Sequence, residues 1–551
     1  MNYHAAVSLF EGDRLTCFPY GVGHDAEGIC LLIQLGPHRI LLDCGLEDIS
    51  PLVPALPVDL AICSHAHLDH SRGFWALHQQ QPNLRICTSA VTAQLLPLYW
   101  PDRPEAEIQS FCQVLPWRSS LQVADDLKLE FFPAGHLPGA AAVVFTYTTE
   151  QRVYRLLYTG DFFLSNSRLV EGLPLESLRG LHPDVLIIEG TYGTARHSRR
   201  RQQEKQLMAR IDRALSRNVS VLLPVPPIGV AQEILMLLRS HHQFTGRDLD
   251  IWVDGQVVDA CDRYLQLLPH LPSAVQNFAK HQPLFWDEQV LPRMRRYPDK
   301  PQDLDRYPCV VLTDAFTEIL RYCPPETGSW LVLLPDTPAP IADYLKIAER
   351  WQNSDRLHLD TYLLSQHSDG RNTTQLIHNI RPQHIIFVHG SPTYLADLTS
   401  LEELQNRYQL HSPHVGTLVE LPIGDTFIQP EAPSLNHYEG EINELDSAVA
   451  FSFPREMSHD TRWQQFADTG LVEARWQGEE LVIRGISQRE LLSQSSTAKI
   501  DLDRDCCRNC LHQRGQRCWN RLSPLYGFKV TPDGYCPAFE ADDGTAAESE
   551  L

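Results

Sequence analysis

The chain has 551 residues, 43% of them hydrophobic and 21% charged, so we expect a globular protein of two or more domains rather than a disordered or fibrous one. The formal net charge of −22 argues against general attraction to nucleic acid, although a local basic patch or bound metal ions can still hold phosphate. Residues 1–10 do not have the pattern of a signal peptide, and no run of about eighteen apolar residues occurs, which favours a cytoplasmic protein without a membrane span.

Short apolar runs that lead into a loop with a polar residue dominate the first 190 residues. Such runs, bounded by glycine, proline or aspartate, predict buried strands. They lie at residues 38–45, 58–70, 127–136, 155–161 and 184–190. Residues 71–80 and 89–97 have a helical pattern, so this region is predicted to mix strands with helices.

A different pattern begins at Arg196. Predicted helices alternate with predicted strands, in the order 200–215, 218–225, 229–240, 248–255 and 257–268. This alternation predicts a parallel α/β domain. The strand-and-loop pattern of the first region returns near Asp360. We therefore predict a discontinuous core, residues 1–193 and 360–430, interrupted by an inserted domain, residues 194–359.

The last part of the chain carries weaker signals. Residues 431–500 are predicted to be a linker with a small hairpin. Within them, residues 431–450 resemble an acidic linker, and residues 471–485 have the alternation of two strands that turn at Gln477-Gly478. Residues 501–540 form a cysteine-rich module, and the acidic tail, residues 541–551, is predicted to be disordered.

The strongest local signal is the sequence SHAHLDH at residues 64–70, which directly follows a predicted strand. Imidazole and carboxylate groups are the usual nitrogen and oxygen ligands of zinc. The loop can direct His65 and His67 to one metal ion, and Asp69 and His70 to a second. Taken alone, the motif also fits a solvated surface loop.

Three later residues favour the metal site over the surface loop. His136, Asp161 and His389 each lie just beyond the end of a predicted strand, where the loops of α/β proteins build their sites. His136 would complete the first ligand set and His389 the second, with Asp161 shared between them. Two metal ions roughly 4 Å apart can activate a water molecule and stabilise a phosphoryl oxygen.

These residues carry a resemblance to a known family. In order and spacing, HAHLDH, His136, the TGD sequence at residues 159–161 and His389 resemble the ligand set of the metallo-β-lactamase superfamily. The resemblance covers residues 1–193 and about 360–425, and it implies an α/β fold in the form of an αββα sandwich. It also implies two zinc ions, or manganese in their place, bound by His65, His67, Asp69, His70, His136, Asp161 and His389.

A second resemblance narrows the family. The segments IEGTYGTARH (188–197), SQHSD (365–369) and FVHGSP (387–392) are similar to three motifs of the β-CASP branch. This branch contains nucleic-acid nucleases such as RNase J and the mRNA 3′-end processing endonuclease, and it carries an inserted cap domain. The resemblance makes Glu189, His367 and His389 the motif residues. A histidine at the third position is associated in this branch with RNA substrates.

The motif residues have roles that their chemistry allows. Glu189 would orient a metal-binding histidine, and His367 would donate a proton to the leaving oxygen or stabilise the phosphate charge. With Asp69 they form the predicted catalytic set, and Ser365 of the second motif is a predicted substrate-binding residue. Alternatively, Glu189 is a strand-end carboxylate that faces water, and His367 is a structural histidine.

The inserted domain departs from the branch in segments that are expected to shape the substrate cleft. Residues 309–320 and 333–345 lack the glycine-rich sequences of relatives, and Val230 stands where relatives often have arginine. A basic run nevertheless follows the first motif and would contact the phosphate backbone of RNA: Arg196, Arg199, Arg200 and Arg201. A solvated helix start is the alternative interpretation.

Five of the fourteen cysteines crowd into residues 506–536. Four of them have the spacing C-x2-C-x7-C-x17-C, which favours a structural zinc ion or an iron–sulfur cluster: Cys507, Cys510, Cys518 and Cys536. Unligated or disulfide-bonded cysteines are the alternative. The other nine cysteines are scattered over residues 17–323 and are predicted to be reduced core residues.

The sequence therefore predicts a zinc-dependent ribonuclease in which an activated hydroxide attacks an RNA phosphodiester. RNA is the expected partner, together with a second copy of the chain or a subunit of an RNA-processing complex. Two other hypotheses stay open: a hydrolase of a small ester, thioester or lactone, and a non-catalytic subunit of a processing complex. The cap motifs favour the nuclease, whereas the acidic net charge and the altered cap favour the small-molecule hydrolase.

Overall fold

The computed structural model describes parts of two compact units, residues 1–425 and residues 426–551. In the first unit it describes residues 15–24, 27–298, 307–314, 319–323, 328–336 and 356–421. In the second unit it describes short segments between residues 441 and 520.

Two seven-stranded sheets form the core of the first unit. The first sheet has the spatial order Val419–Glu420, Leu15–Val22, Ile29–Leu35, His38–Leu42, Leu60–Ile62, Ile86–Ser89 and Cys112–Leu115. Its first four strands pair antiparallel and the rest pair parallel. Every residue of Ile29–Leu35 is buried, as expected for a strand that is covered on both faces.

The second sheet mirrors this arrangement. Its spatial order is Gln409–His411, His384–Val388, Val185–Glu189, Val153–Tyr158, Ala141–Thr148, Leu127–Pro133 and Ser120–Ala124. Ile33 of the first sheet and Phe131 and Val143 of the second belong to one hydrophobic cluster between the sheets. Apolar residues of helices, such as Phe74 and Leu376, pack in another cluster that covers the outer faces. This four-layer arrangement confirms the predicted αββα sandwich.

Helices connect and cover the sheets. The α-helices span Leu68–Ser71, Phe74–Gln80, Ala90–Leu95, Glu105–Ser110, Leu175–Leu178, Arg200–Ser216, Val230–Ser240, Gln256–Gln266, Ser273–Ala279, Ile319–Tyr322, Gly370–Ile380, Pro392–Thr399 and Glu402–Gln405. Short 3-10 helices span Val53–Ala55, Leu96–Tyr99 and Leu268–His270. None of the helices in the described part of the chain has both the length and the apolar character of a membrane span.

A third sheet, which we call the cap sheet, has six strands. Its order is Arg293–Arg296, Asp250–Val253, Val310–Thr313, Ser220–Pro224, Trp330–Pro335 and Leu357–Tyr362. All neighbouring strands are parallel, which confirms the predicted α/β character of the insertion. The last strand pairs with Trp330–Pro335 up to Tyr362. The cap sheet therefore runs past the predicted boundary at residue 359, because residues 360–362 belong to the same cap strand as Leu357.

The second unit contains three antiparallel hairpins within its described segments. They pair Glu441–Leu445 with Ala448–Ser452, Val472–Gln477 with Glu480–Gly485, and Gln513–Arg514 with Arg517–Cys518. The first hairpin corrects the prediction that residues 431–450 are only a linker. The second was predicted, but Gln477 is still paired with Glu480, so the chain reverses one residue later than expected. The predicted disordered tail, residues 541–551, lies outside the described residues.

Candidate metal centre

The candidate site lies where strands of both core sheets end. His65 follows the strand Leu60–Ile62 of the first sheet. In the second sheet, four strand ends reach the same edge, and each carries or precedes a predicted site residue: His136, Asp161, Glu189 and His389. His367 lies in the loop between the last cap strand and the helix Gly370–Ile380. The fold thus brings together residues that are up to 324 positions apart, from His65 to His389.

Asp161 occupies the centre of the site, between two groups of histidines. Its Oδ2 lies 3.5 Å from His65 Nε2 and 3.7 Å from His136 Nε2. Its Oδ1 lies 3.3 Å from His70 Nε2 and 3.6 Å from His389 Nδ1. The two carboxylate oxygens therefore face different ligand groups, which is the arrangement that a bridging ligand requires.

The remaining predicted ligands complete both groups. His67 Nδ1 lies 3.0 Å from His136 Nε2, and the ligand atoms of His65, His67, His136 and Asp161 are all within 4.8 Å of one another. Asp69 Oδ2 lies 3.2 Å from His389 Nε2 and 4.0 Å from His70 Nε2. All seven predicted metal ligands thus surround one small region.

The chemistry of these atoms fits metal ions. His65 Nε2, His70 Nε2 and Asp161 Oδ1 are buried and have no hydrogen-bond partner among the described residues, a costly state unless another group satisfies them. Ligands at about 2.0–2.1 Å from a tetrahedral zinc ion are about 3.4 Å apart, close to the separations found around Asp161. The donor set of nitrogen and oxygen atoms is also one that zinc and other divalent metals accept.

Hydrogen bonds outside the ligand sets orient the histidines. His70 Nδ1 lies 2.7 Å from Asp43 Oδ2, which also accepts from Tyr158 and Ser64. This leaves His70 Nε2 free to face Asp161, the usual way in which a carboxylate fixes a metal-binding imidazole. The sequence analysis missed the role of Asp43, although the segment LLDCG ends a strand as the predicted ligands do.

Two other ligand histidines are oriented by backbone carbonyls. His136 Nδ1 lies 3.0 Å from the carbonyl oxygen of Gln366, in the second motif. His67 Nε2 lies 3.3 Å from the carbonyl oxygen of Ile228, in the cap. The cap therefore contributes directly to the orientation of a residue in the first ligand group.

Burial and charge set opposite pKa shifts in the two groups. Burial lowers the pKa of His65, His67 and His136, so these side chains are neutral, as metal binding requires. Burial also opposes the charged form of His70, but the carboxylates of Asp161 and Asp69 outweigh it and raise the pKa. Nearby histidines hold the pKa of Asp161 well below its usual range despite its burial.

Glu189 connects the three motifs of the second resemblance. It is buried, and its Oε1 accepts from the backbone nitrogen of Phe162 at 2.7 Å. Its Oε2 accepts from His367 Nδ1 at 2.8 Å and from the hydroxyl of Thr191. The alternative of a strand-end carboxylate that faces water is therefore wrong. Glu189 binds His367 directly and reaches the predicted ligand His389 through the Thr191 hydroxyl, contacts that are consistent with the predicted orienting role.

His367 is held in a strongly acidic environment. Burial alone would lower its pKa, but the charges of Glu189 and Asp161 raise the pKa to about 9. Its ring centroid lies 4.4 Å from that of His136, and its side chain is 19% exposed. The imidazole thus lies beside the ligand group, in surroundings that favour its protonated form, and it is still reachable from solvent.

The predicted substrate-binding residues divide into exposed and buried side chains. Arg196, Arg199 and Arg201 are exposed. Arg200 is only 6% exposed and pairs with Glu204 at 3.3 Å and Glu233 at 3.4 Å. The prediction that Arg200 binds phosphate is wrong, because its guanidinium group forms ion pairs with buried carboxylates.

Ser365 is also buried rather than open to a cleft. Its Oγ lies 3.3 Å from His197 Nδ1, and its backbone nitrogen donates to Gln203 Oε1 at 2.9 Å. Arg200 donates to the carbonyl oxygen of Ser365. These contacts correct the prediction of a substrate-binding serine and give the residue a place in the packing between the second motif and the cap.

The cysteine-rich module is described only in part. Cys510 is buried and unpaired by disulfide, and Cys518 ends the hairpin Gln513–Arg514/Arg517–Cys518. Cys507 and Cys536 lie outside the described residues. The predicted second metal site therefore stays a prediction. The cysteines at positions 17 to 323 are free thiols, and eight of the nine are buried, in agreement with the prediction of reduced core residues.

Two family models match segments that contain the site. One, described as a beta-lactamase superfamily domain, matches residues 38–213. The other, described as a Zn-dependent metallo-hydrolase RNA specificity domain, matches residues 356–407. The chain belongs to the metallo-β-lactamase superfamily, in its β-CASP branch. The predicted family is thus confirmed, and the two matched segments stand on either side of most of the insertion.

Curated relatives of this β-CASP protein include nucleases. An uncharacterized protein from Synechocystis sp. is 51% identical over 96% of the chain and 97% of its own length. A probable RNase from Methanocaldococcus jannaschii is 30% identical over 42% of the chain and 57% of its own length. Endoribonuclease YSH1 from Kluyveromyces lactis is 24% identical over 75% of the chain and 61% of its own length. The chain therefore spans less than two thirds of the length of the two nucleases.

Proposed function

We propose that the chain is a metal-dependent phosphodiesterase that cleaves RNA. The observation that carries this proposal is the carboxylate of Asp161: its Oδ2 lies 3.5 Å from His65 Nε2 and 3.7 Å from His136 Nε2, and its Oδ1 lies 3.3 Å from His70 Nε2. A dinuclear centre suits phosphodiester cleavage because it can stabilise both the attacking and the leaving oxygen. The family relatives named as ribonucleases support RNA as the substrate class.

The ligand sets follow from the geometry. His65, His67 and His136 would hold the first metal ion, and Asp69, His70 and His389 the second, with Asp161 shared. Zinc is the expected metal, and manganese is the alternative that the same ligands accept. When bound, the two ions supply Lewis acidity and a nucleophilic water at neutral pH. The protein contributes the fixed positions of the ligands, which Asp43, Gln366 and Ile228 secure.

His367 is the residue that we assign to proton donation. Glu189 accepts from its Nδ1 at 2.8 Å, so the other ring nitrogen is the one that can donate to a substrate. The carboxylates of Glu189 and Asp161 outweigh burial and raise the pKa of His367, which favours the protonated form that a proton donor needs. A protonated donor beside the metal ligands can pass its proton to the leaving oxygen of the cleaved phosphodiester.

RNA specificity has support from two features. The segment matched by the RNA specificity domain contains both His367 and His389. Arg196, Arg199 and Arg201 follow the first motif and are exposed, so they can contact phosphate groups next to the site.

RNA, a second copy of the chain or a processing-complex subunit are the partners that we propose. The four C-terminal cysteines would bind a structural zinc ion or an iron–sulfur cluster, and elemental analysis of the full chain distinguishes these.

A hydrolase of a small ester, thioester or lactone is the second candidate. The net charge of −22 and the withdrawal of Arg200 into a buried ion pair both favour it, because they weaken the attraction for a polyanion. The same ligands can serve either reaction.

Cleavage of end-labelled single-stranded RNA, beside DNA of matched sequence, tests the proposed function. The protein is loaded with zinc or manganese and compared with Asp161→Ala. We expect the wild-type protein to cleave RNA in preference to DNA, and the variant to cleave neither. Intact RNA in the presence of wild-type protein with two bound metal ions would contradict the proposal.

A further inference from the structure

The side chain of Thr191 lies between the predicted metal ligand His389 and the buried carboxylate of Glu189. Its Oγ1 contacts Glu189 Oε2 and lies 2.8 Å from His389 Nδ1. Weaker contacts, at 3.4 Å to His367 Nδ1 and 3.5 Å to the carbonyl oxygen of His389, surround the same oxygen. Neither the sequence motif nor the ligand geometry alone assigns this hydroxyl a role.

The direction of these hydrogen bonds follows from the donors that each group has. A carboxylate only accepts, so the single hydrogen of the Thr191 hydroxyl goes to Glu189. The lone pairs of the same oxygen are then left to accept, and His389 Nδ1 is the closest nitrogen. His389 Nδ1 therefore donates its hydrogen to Thr191, and Nε2, which faces Asp69 Oδ2 at 3.2 Å, is the nitrogen that would bind a metal ion in place of a hydrogen.

This tautomer is the one that the second ligand group requires. His389 Nε2 lies 3.2 Å from Asp69 Oδ2, another residue of that group. An imidazole binds a metal ion through its unprotonated nitrogen, and the partner of the other nitrogen decides which one that is. His389 also has a left-handed backbone, with φ of 53°, and its backbone nitrogen donates to Val22. Its backbone is thus fixed, and Thr191 controls the remaining freedom of the ring.

We propose that Thr191 is a positioning residue that fixes the tautomer and ring orientation of His389, so that Nε2 binds the second metal ion. This inference rests on the proposed function for the ligand assignment, but it concerns metal binding and not the choice of substrate. Among the described residues the Thr191 hydroxyl contacts His389 of the second group and none of His65, His67 and His136, so the effect is expected at the second site.

Zinc titration of the full chain against a chromophoric chelator tests this proposal without any nucleic acid. Thr191→Val keeps the shape of the side chain and removes the hydroxyl. We expect the second zinc ion to bind roughly 10–100-fold more weakly, while the affinity for the first stays unchanged. Thr191→Ser restores the hydroxyl and is expected to restore the second affinity.

A matched control is Thr88→Val, because the buried Thr88 hydroxyl donates to the carbonyl oxygen of Cys63, at 2.9 Å, and not to a metal ligand. It should leave both affinities unchanged. If Thr191→Val does not fold, Thr191→Ala replaces it, with a thermal melt to show that the fold is intact. Wild-type affinity for both zinc ions in the variant, or equal weakening of both, would overturn the proposal. Because RNA is absent, this outcome is independent of whether the protein cleaves RNA.

Discussion

The buried carboxylate of Glu233 connects the cap to the core, and its removal tests how much this contact stabilises the protein. This cap residue is buried, and its carboxylate accepts from Ser167 Oγ at 2.7 Å, from the backbone nitrogen of Arg168 at 2.9 Å and from that of Leu169 at 2.8 Å. It also pairs with Arg200 at 3.4 Å. Glu233→Ala would leave the backbone donors unsatisfied and would remove one of the two carboxylates that balance the arginine.

The expected loss can be worked out from these contacts. Removing one partner of a buried charged network costs about 3–5 kcal/mol, and Arg200 retains Glu204, so the lower half of this range is expected. The first unit has 425 residues, and an unfolding entropy of about 2.1 cal/mol/K per residue gives roughly 0.9 kcal/mol/K. The melting temperature should therefore fall by about 3–5 °C.

A thermal melt followed by circular dichroism measures this change. The matched control is Glu47→Ala, since the Glu47 side chain is 89% exposed and pairs with Arg72 at 3.4 Å. An exposed pair of this kind contributes about 0–1 kcal/mol, so the control should melt close to the wild-type protein. A Glu233→Ala variant that melts together with the control would refute the idea that this carboxylate fastens the cap.

Three further predictions concern metal, RNA and pH. Asp161→Asn should lose both metal ions on purification, as measured by elemental analysis, because it alters the ligand that both groups share. Charge reversal at Arg199 and Arg201 should weaken RNA binding and reduce the slope of log K against log salt by about 1 for each lost phosphate contact. Burial lowers the pKa of His378 from 6.5 to about 4. The unfolded chain therefore takes up a proton first as the pH falls, and stability is lost between about pH 6.5 and 4. His378→Gln should lower this acid sensitivity in melts at about pH 7 and pH 5.

Each of these predictions has a clear contrary result. If Asp161→Asn retains two metal ions, the hypothesis that Asp161 is shared by both ions is wrong. An unchanged salt slope would show that Arg199 and Arg201 do not contact RNA phosphates. Arg200→Ala is the control for these two variants, because it should lower the melting temperature without changing the slope. A His378→Gln variant that is as acid-sensitive as the wild-type protein would show that other groups dominate.

The ligand set was predictable because its physical cause is local. His65, His136, Asp161 and His389 each directly follow an apolar run, and strand ends in one sheet meet at one edge. The sandwich and the parallel cap followed from the same alternation of apolar runs and helices.

What could not be predicted depends on the direction of side chains and on distant partners. Arg200 stands in a run of like residues, and the sequence does not show that it alone turns inward to Glu204 and Glu233. Asp43 contacts a histidine 27 positions away, and only the fold reveals that partner. The predicted boundary at residue 359 cuts a strand, because a short strand such as Leu357–Tyr362 does not show in its own sequence which sheet it joins.

The central claim is that the dinuclear site acts on RNA rather than on a small molecule. Elemental analysis first shows that the full chain holds two metal ions more than Asp161→Asn does. The same preparation is then assayed side by side on single-stranded RNA and on a panel of aryl esters, thioesters and lactones. The account predicts that RNA is cleaved, that the panel is not, and that Asp161→Asn cleaves neither. Hydrolysis of a small ester, thioester or lactone with RNA left intact would contradict it.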